Sequence, residues 1–277
     1  MSIHFVLYCR NMDGRERNKS CKAIILSVKQ SGENNRSVCI LSQERGLFDA
    51  ILYGGPKNHL RSFVQPFNSG NLYIYEDKVK KSIKISDFDV TNAHPSFRTS
   101  IYKMWAANLA AEIIIKTKYA GEAEKAFILL KAFTDGLEAS NEEESRLGML
   151  RFLWRYTILL GLQIDCHTCI SCGESLLKKS LNQESLSLFI KSQNGFSCSE
   201  CMNQFLQTDE IISGGKFIMD NQSLTYLEAI RTLSPGKVRL LKISASSAFR
   251  MKIFLFHVIE EACGCRLKTL ETGLGIL

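Results

Sequence analysis

CKAIILSVKQSGENNRSVCILSQERGLFDAILYG, residues 21–54, holds three short apolar runs cut by polar, turn-forming segments. CKAIILSVKQ, SVCILSQ and LFDAILYG are rich in Ile, Val and Leu, and SGENNR and QERG between them supply the Gly, Asn and charged residues that stop strands and turn the chain. The same texture continues through NLYIYED and SIKISDFDV, separated by GGPKNH, NSG and EDKVKK. Five short strands at this spacing predict a small closed barrel or sandwich, because closure removes the unpaired edges that an open sheet would expose.

From Asn92 onward the pattern is helical. HPSFRTSIYKMWAANLAAEIIIKT sets Ile101, Trp105, Leu109 and Ile113 four residues apart, which predicts one long apolar face. EAEKAFILLKAFTDGLEA and ESRLGMLRFLWRYTILLGL share the pattern, so three helices are expected to pack together. SLTYLEAIRTL and SASSAFRMKIFLFHVIEEACG predict two more helices returning to that bundle, the second capped by Ser244 or Ser246. The resulting division is 1–90 barrel, 91–165 helical domain, 166–207 cysteine-bearing flap and 208–277 closing helices.

The chain has 277 residues, of which 45% are hydrophobic, enough for two or three small domains. The opening MSIHFVLYCRNMDGRER lacks the features of a secretory signal, so the ten cysteines are expected to be reduced thiols in the cytoplasm. The apolar runs fall short of the ~20 residues that a bilayer crossing needs. Net charge is +7, and residues 1–90, with 14 Lys and Arg against nine Asp and Glu, carry most of the excess. The barrel is therefore the part expected to meet a polyanion.

The cysteines give the most specific signal. Cys169-x-x-Cys172 and Cys198-x-x-Cys201 are two pairs whose tight turns can each bring two sulfurs to one zinc ion, with 25 residues between the pairs. LSLFIKS and NGFS suit a hairpin inside that span, and Gly173 suits the turn after Cys172. Cys166 and His167 stand close enough in sequence to replace one ligand, and that alternative stays open. Neither a His-x-Glu deaminase signature nor His-Glu-x-x-His is present, so the metal site reads as structural. The segments around Lys216 and Lys237 lack the pattern of a phosphate-binding loop, and the five histidines form no catalytic arrangement. A non-enzymatic role is expected.

A barrel, then helices, then a Cys-x-x-Cys-Gly … Cys-x-x-Cys insertion before the last helices resembles the RecO family of bacterial recombination mediators. The local match runs through SGENNRSVCILSQERGLFDAILYGGPKNHLRSFVQPF and again through EEACGCRLKTLETGL. The resemblance implies an N-terminal OB-fold, an α-helical middle and a zinc flap. It also implies binding to single- and double-stranded DNA, strand annealing, and action with RecR to load RecA onto DNA coated by the single-stranded-DNA-binding protein, at the nucleoid. The first 20 residues and Cys166 depart from the family pattern.

The residue types agree with a nucleic-acid role. Lys22, Arg36, Lys57, His59, Arg61, Lys78, Lys80 and Lys81, with Lys29 beside them, lie on or between the barrel strands, among Tyr53, Phe63, Phe67, Tyr73 and Tyr75. Cations that track phosphates and aromatic faces that stack bases are what single strands require. Alternation of Leu72 and Ile74 with the two tyrosines puts one pair in the core, so part of this aromatic set is packing. GGPKNHLRS is the favoured phosphate loop. A zinc-bearing OB-fold factor for RNA or other DNA is the competing reading. In the last long helix, Phe249, Ile253, Phe254, Phe256 and His257 cover more than one face; most are expected in the core, and the remainder, with Arg250, Lys252 and Phe254 as the candidate partner contacts, are expected to form an apolar groove for the acidic tail of the single-stranded-DNA-binding protein.

Overall fold

A computed structural model describes residues 18–77, 79–177, 185–206 and 216–273. The apolar runs become strands β1 (Asn18–Ser31), β2 (Asn35–Ser42), β3 (Gly46–Leu52), β4 (Ser69–Asp77) and β5 (Ser82–Asn92), with a short helix α1 (Leu60–Phe63) between β3 and β4. They form a closed barrel in the order β1-β2-β3-β5-β4, an OB-like arrangement. Closure depends on β1, which pairs with β4 over Asn18↔Tyr75 to Ile24↔Ser69 and with β2 over Ala23↔Ser42 to Ser31↔Asn35. A bulge between Ile25 and Ser27 lets one strand bend from one neighbour to the other. The seam opposite is the parallel contact Ile51↔Lys84 of β3 with β5.

Strand alternation decides what fills the barrel. Ala23, Ile25, Val38, Ile40, Ala50, Leu52, Leu72 and Ile74 point inward. The unbroken run Ala23 to Leu26 has a separate cause: Ile24, Leu26 and Leu41, on the other face, join Phe67, Phe97 and Trp105 in a second core that continues into the helices. A strand buried on both faces is apolar throughout. Phe67, fully buried, holds φ +68°, a conformation unusual for a bulky residue. Its N–H donates to the Ile25 carbonyl at 2.7 Å and its ring meets Phe97 edge-on.

The helices follow as α2 (Ile101–Thr117), α3 (Ala123–Ala139), α4 (Glu142–Leu159), α5 (Asn221–Thr232), α6 (Pro235–Arg239), α7 (Ala245–Cys263) and α8 (Lys268–Thr272). Four start on a side-chain cap: Ser100, Asn141, Asp220 and Ser244 accept from the N–H three residues on. Helix α2 differs from the one-faced expectation. Ile101 is exposed, while Trp105, Ala106, Ala107, Leu109, Ala110, Ile113 and Ile114 are buried around most of the circumference. The small alanines let α2 run through the middle of the bundle, touching α3, α4, α7 and α8. Glu112 of α2 accepts from the first N–H groups of α8, Lys268 and Thr269, at 3.0 and 2.9 Å.

The cysteine-bearing segment is a second sheet, β6 (Asp165–Cys169), β7 (Leu186–Ile190), β8 (Gly195–Ser197) and β9 (Ile218–Asp220), in the order β6-β8-β7-β9. β7 and β8 form the expected hairpin, turned at Asn194 with φ +49°. Among the described residues no helix is long and apolar enough to cross a membrane.

Candidate metal centre and nucleic-acid interface

Cys169 ends β6 and Cys198 follows β8, two parallel neighbours in the sheet, so both Cys-x-x-Cys turns leave the same end of it. Their sulfurs meet. The Sγ atoms of Cys169, Cys172, Cys198 and Cys201 all lie within 4.8 Å of one another, and those of Cys172 and Cys198 are 3.8 Å apart. A tetrahedral zinc with bonds of ~2.3 Å sets its sulfurs roughly 3.8 Å apart, so the donor set fits the ion.

The backbone is arranged for thiolate. Ser171 and Cys198 donate N–H to the Cys169 sulfur at 3.4 and 3.3 Å. Burial pushes the Cys169 thiol up, but the N–H groups of Cys172, Cys198 and Ser171 outweigh it and bring it to about 6. Cys201, facing the sulfurs of Cys198 and Cys172, is pushed up to about 12. Gly173 takes φ +72° and donates to the Cys169 carbonyl at 2.9 Å, closing the first turn. Cys166 is turned away and buried, and the His167 ring pairs with Glu228 of α5 at 3.1 Å. Neither reaches the sulfur cluster.

On the barrel, the basic loop at 54–61 is pinned rather than free. Asn58 donates its side-chain amide to the Tyr53 carbonyl at 2.6 Å and accepts from Leu60 N–H at 2.9 Å. The Gly54 N–H, at φ +102°, donates to the Asn35 side chain at 3.4 Å, and Arg61 donates to the Asn34 carbonyl at 3.1 Å. The loop therefore lies against the β1–β2 turn, with Lys57 and His59 exposed. Arg61 belongs to the fastening: its Nε is buried without a partner and its Nη2 is committed to that turn. Arg36 is half-buried and pairs with Leu52 on the inward-facing row.

The remaining cations divide. Lys80 and Lys81 are exposed on the β4–β5 turn, whose form is set by Asp77 accepting from the N–H groups of Val79 and Lys80. Lys78 lies outside the described residues. Lys22 is exposed but sits beside the β2–β3 turn, where its carbonyl accepts from Gln43 N–H. The eight residues of β2 separate it from the 54–61 loop by roughly 25 Å of extended chain. Of the aromatics, Tyr53, Phe63 and Tyr73 are exposed, whereas Phe67 is core. Lys84, which the sequence reading did not single out, stands over the rings of Tyr53 and Tyr75. Its place between inward Ile83 and Ile85 in SIKIS was the available signal.

The partner contacts expected on α7 need correction. Phe254 is fully buried, its ring 5.0 Å from that of Phe189 and 5.4 Å from that of Phe196, so it fixes the flap to α7 and offers nothing to a partner. Arg250 pairs with Asp220 at 3.5 Å and fastens α7 to β9. Lys252 lies over the exposed Phe249 ring at 4.8 Å, and burial and then Arg146 hold its ammonium below the usual lysine range. Phe249 and Lys252 line a groove of about 270 Å³ with Tyr102, Arg146, Leu147 and Ile243. Another groove, of about 380 Å³ between α3 and α4, is lined by Arg151, Arg155 and Arg239, of which Arg151 and Arg239 pair with Glu144.

Comparison with known proteins matches the family model Recombination protein O N terminal to residues 17–93 and Recombination protein O C terminal to residues 98–271. The DNA repair protein RecO of Oceanobacillus iheyensis is 26% identical over 180 residues, 64% of this chain and 66% of that protein. That of Solidesulfovibrio magneticus is 27% identical over 160 residues, 57% of this chain and 64% of its own length. The chain thus spans just under two thirds of these two relatives. That of Pelotomaculum thermopropionicum is 21% identical over 235 residues, 84% of each chain.

Proposed function

This chain belongs to the recombination protein O family, and from that premise we propose that it serves DNA repair and recombination as a DNA-binding mediator without a reaction of its own. The observation that carries the reading is the pinned basic loop at 54–61 on a closed five-stranded barrel. A loop already ordered presents Lys57 and His59 to phosphates with little further loss of chain entropy. Such contacts serve single and double strands alike, because they touch the backbone and not the bases.

The finer role is strand annealing and, with RecR, the loading of RecA onto DNA coated by the single-stranded-DNA-binding protein, at the nucleoid. Holding DNA and protein together needs a second surface. The groove with Phe249, Lys252 and Arg146 supports this, since apolar walls with Lys252 among them suit an acidic, apolar-ended tail, although Arg146 is paired with Glu142 and Glu143 also lines the groove. The four cysteines, a closed donor set, would hold zinc as a structural ion that fixes the two turns.

An annealing assay tests the reading: complementary strands coated by the single-stranded-DNA-binding protein should pair faster with this chain present, and Lys252→Glu should remove the gain while leaving binding to bare DNA. In a salt titration, Lys57→Ala with His59→Ala should weaken binding to every sequence and flatten the salt slope. Equal competition by matched RNA would favour the RNA-binding alternative.

A further inference from the structure

Lys84 is clasped on the outside of the barrel: its Nζ lies 5.2 Å from the centroid of the Tyr53 ring and 5.7 Å from that of Tyr75. The register produces this clasp. Lys84 has Ile51 as its Cα partner on one side and Tyr75 on the other. Leu52, Ile74 and Ile85 fill the interior, so alternation turns Ile51, Tyr53, Tyr75 and Lys84 outward together. The Tyr53 backbone is held by Asn58, yet its ring is 43% exposed. Lys84 makes no ion pair among the described residues. Asp77, whose carboxyl feels the Lys84 charge, has an oxygen already engaged by the N–H groups of Val79 and Lys80. The patch thus holds an open ring beside an ammonium that, among the described residues, makes no ion pair, with the Asp77 carboxylate as the nearby charge that acts on it. It adjoins the loop that carries Lys57 and His59, which begins one residue after Tyr53.

We propose that Tyr53, Lys84 and Tyr75 form a one-nucleotide subsite for single-stranded DNA, in which the ammonium takes a backbone phosphate and the open Tyr53 ring takes an unpaired base. The inference rests on the reading that the barrel binds DNA and adds strand selectivity to it. A duplex keeps its base faces stacked on one another and can offer this patch a phosphate alone. A single strand offers both groups. The loop cations grip either form, and the tyrosine distinguishes them.

Fluorescence anisotropy on the full chain tests it with three probes: an oligothymidine, an abasic strand of equal length and a duplex. Tyr53→Leu should weaken oligothymidine binding about five- to one-hundred-fold, the range that stacking of one base supplies, and leave the abasic strand and duplex unchanged. Tyr53→Phe, which keeps the ring, should retain wild-type affinity and so controls for folding. Lys84→Gln should weaken oligothymidine and abasic strand alike and reduce the log–log salt slope by ~0.7. Equal loss on the abasic strand in Tyr53→Leu, or no loss on oligothymidine, would overturn the subsite while leaving the barrel a DNA binder. If the wild type bound none of the three probes, the DNA-binding reading itself would fall, and the subsite with it.

Discussion

Cys166 and Cys169 lie on one strand, yet only Cys169 faces the other sulfurs. An odd separation along a strand puts two side chains on opposite faces, and CHTC can be recognised as a strand only once its partner β8 is known. Burial, then the Glu228 charge, pushes the Cys166 thiol up to about 12. The purified chain is expected to hold about one zinc ion; Cys172→Ser should lose it and Cys166→Ser should keep it, by elemental analysis. Equal zinc loss from both variants would show the ligand set to be wrong. Because a raised thiol pKa keeps the neutral, unreactive form, Cys166 should stay unmodified by iodoacetamide at pH 8 in folded protein, where its thiolate is scarce. Mass spectrometry that finds Cys166 among the first sites labelled would contradict its burial. The gathering of these four cysteines was legible from Cys-x-x-Cys spacing; that Cys166 lies apart from them required the strand's two faces.

At the scale of elements, local chemistry was readable and its tertiary use was not. The five barrel strands, the hairpin and the five long helices follow from apolar periodicity and turn residues, whereas the short helices α1, α6 and α8 were not read and the wrapping of α2 by its neighbours depends on which helices surround it. The cap of α7 shows the limit. Ser244 and Ser246 both precede the helix, and the choice falls on Ser244, whose Oγ accepts from Ser247 N–H at 3.1 Å. Ser247 in turn donates its hydroxyl to Asp220, the cap of α5, at 2.8 Å, so the two helix starts are tied together. Ser244→Ala should cost about 1 kcal/mol of stability and Ser246→Ala a few tenths at most, as read by denaturant midpoints; equal effects would mean that the cap has been misassigned. Phe254 looked like a candidate for a partner because α7 carries more apolar residues than one bundle face needs. The surplus is absorbed by the flap, whose Phe189 and Phe196 close on Phe254, which also meets Trp154 of α4. Phe254→Ala should therefore destabilise by about 3–5 kcal/mol, a loss too large for a surface side chain.

Over the whole molecule, the barrel and the helical bundle share one core rather than meeting through a linker. Ile24, Leu26 and Leu41 leave the barrel wall to join Phe67, Phe97 and Trp105. His94, buried between the halves, bridges the Phe67 carbonyl and Asp135 of α3 at 3.0 Å each. Gly46, at φ +71°, leaves room for the Tyr119 hydroxyl, which any Cβ there would overlap. Composition marked the change from strand to helix near residue 90 but carried no sign of this shared face, because an apolar run at β1 reads the same whether its second face meets a sheet or a helix. The consequence is mechanical: the barrel surface and the α7 surface, the two places proposed for DNA and for a partner, are joined through packed side chains. Unfolding should then be cooperative across the 18–273 span, with a single calorimetric transition whose enthalpy equals the van't Hoff value. Gly46→Ala should lower that transition as one peak, since the added methyl drives Tyr119 from the barrel while a left-handed backbone is imposed on alanine. A fragment ending near residue 93 should expose Ile24, Leu26, Leu41 and Phe67 and melt below the intact chain. Two separate transitions in the wild type, or a fragment as stable as the barrel within the whole, would mean that the halves fold independently and that the shared core does not couple them.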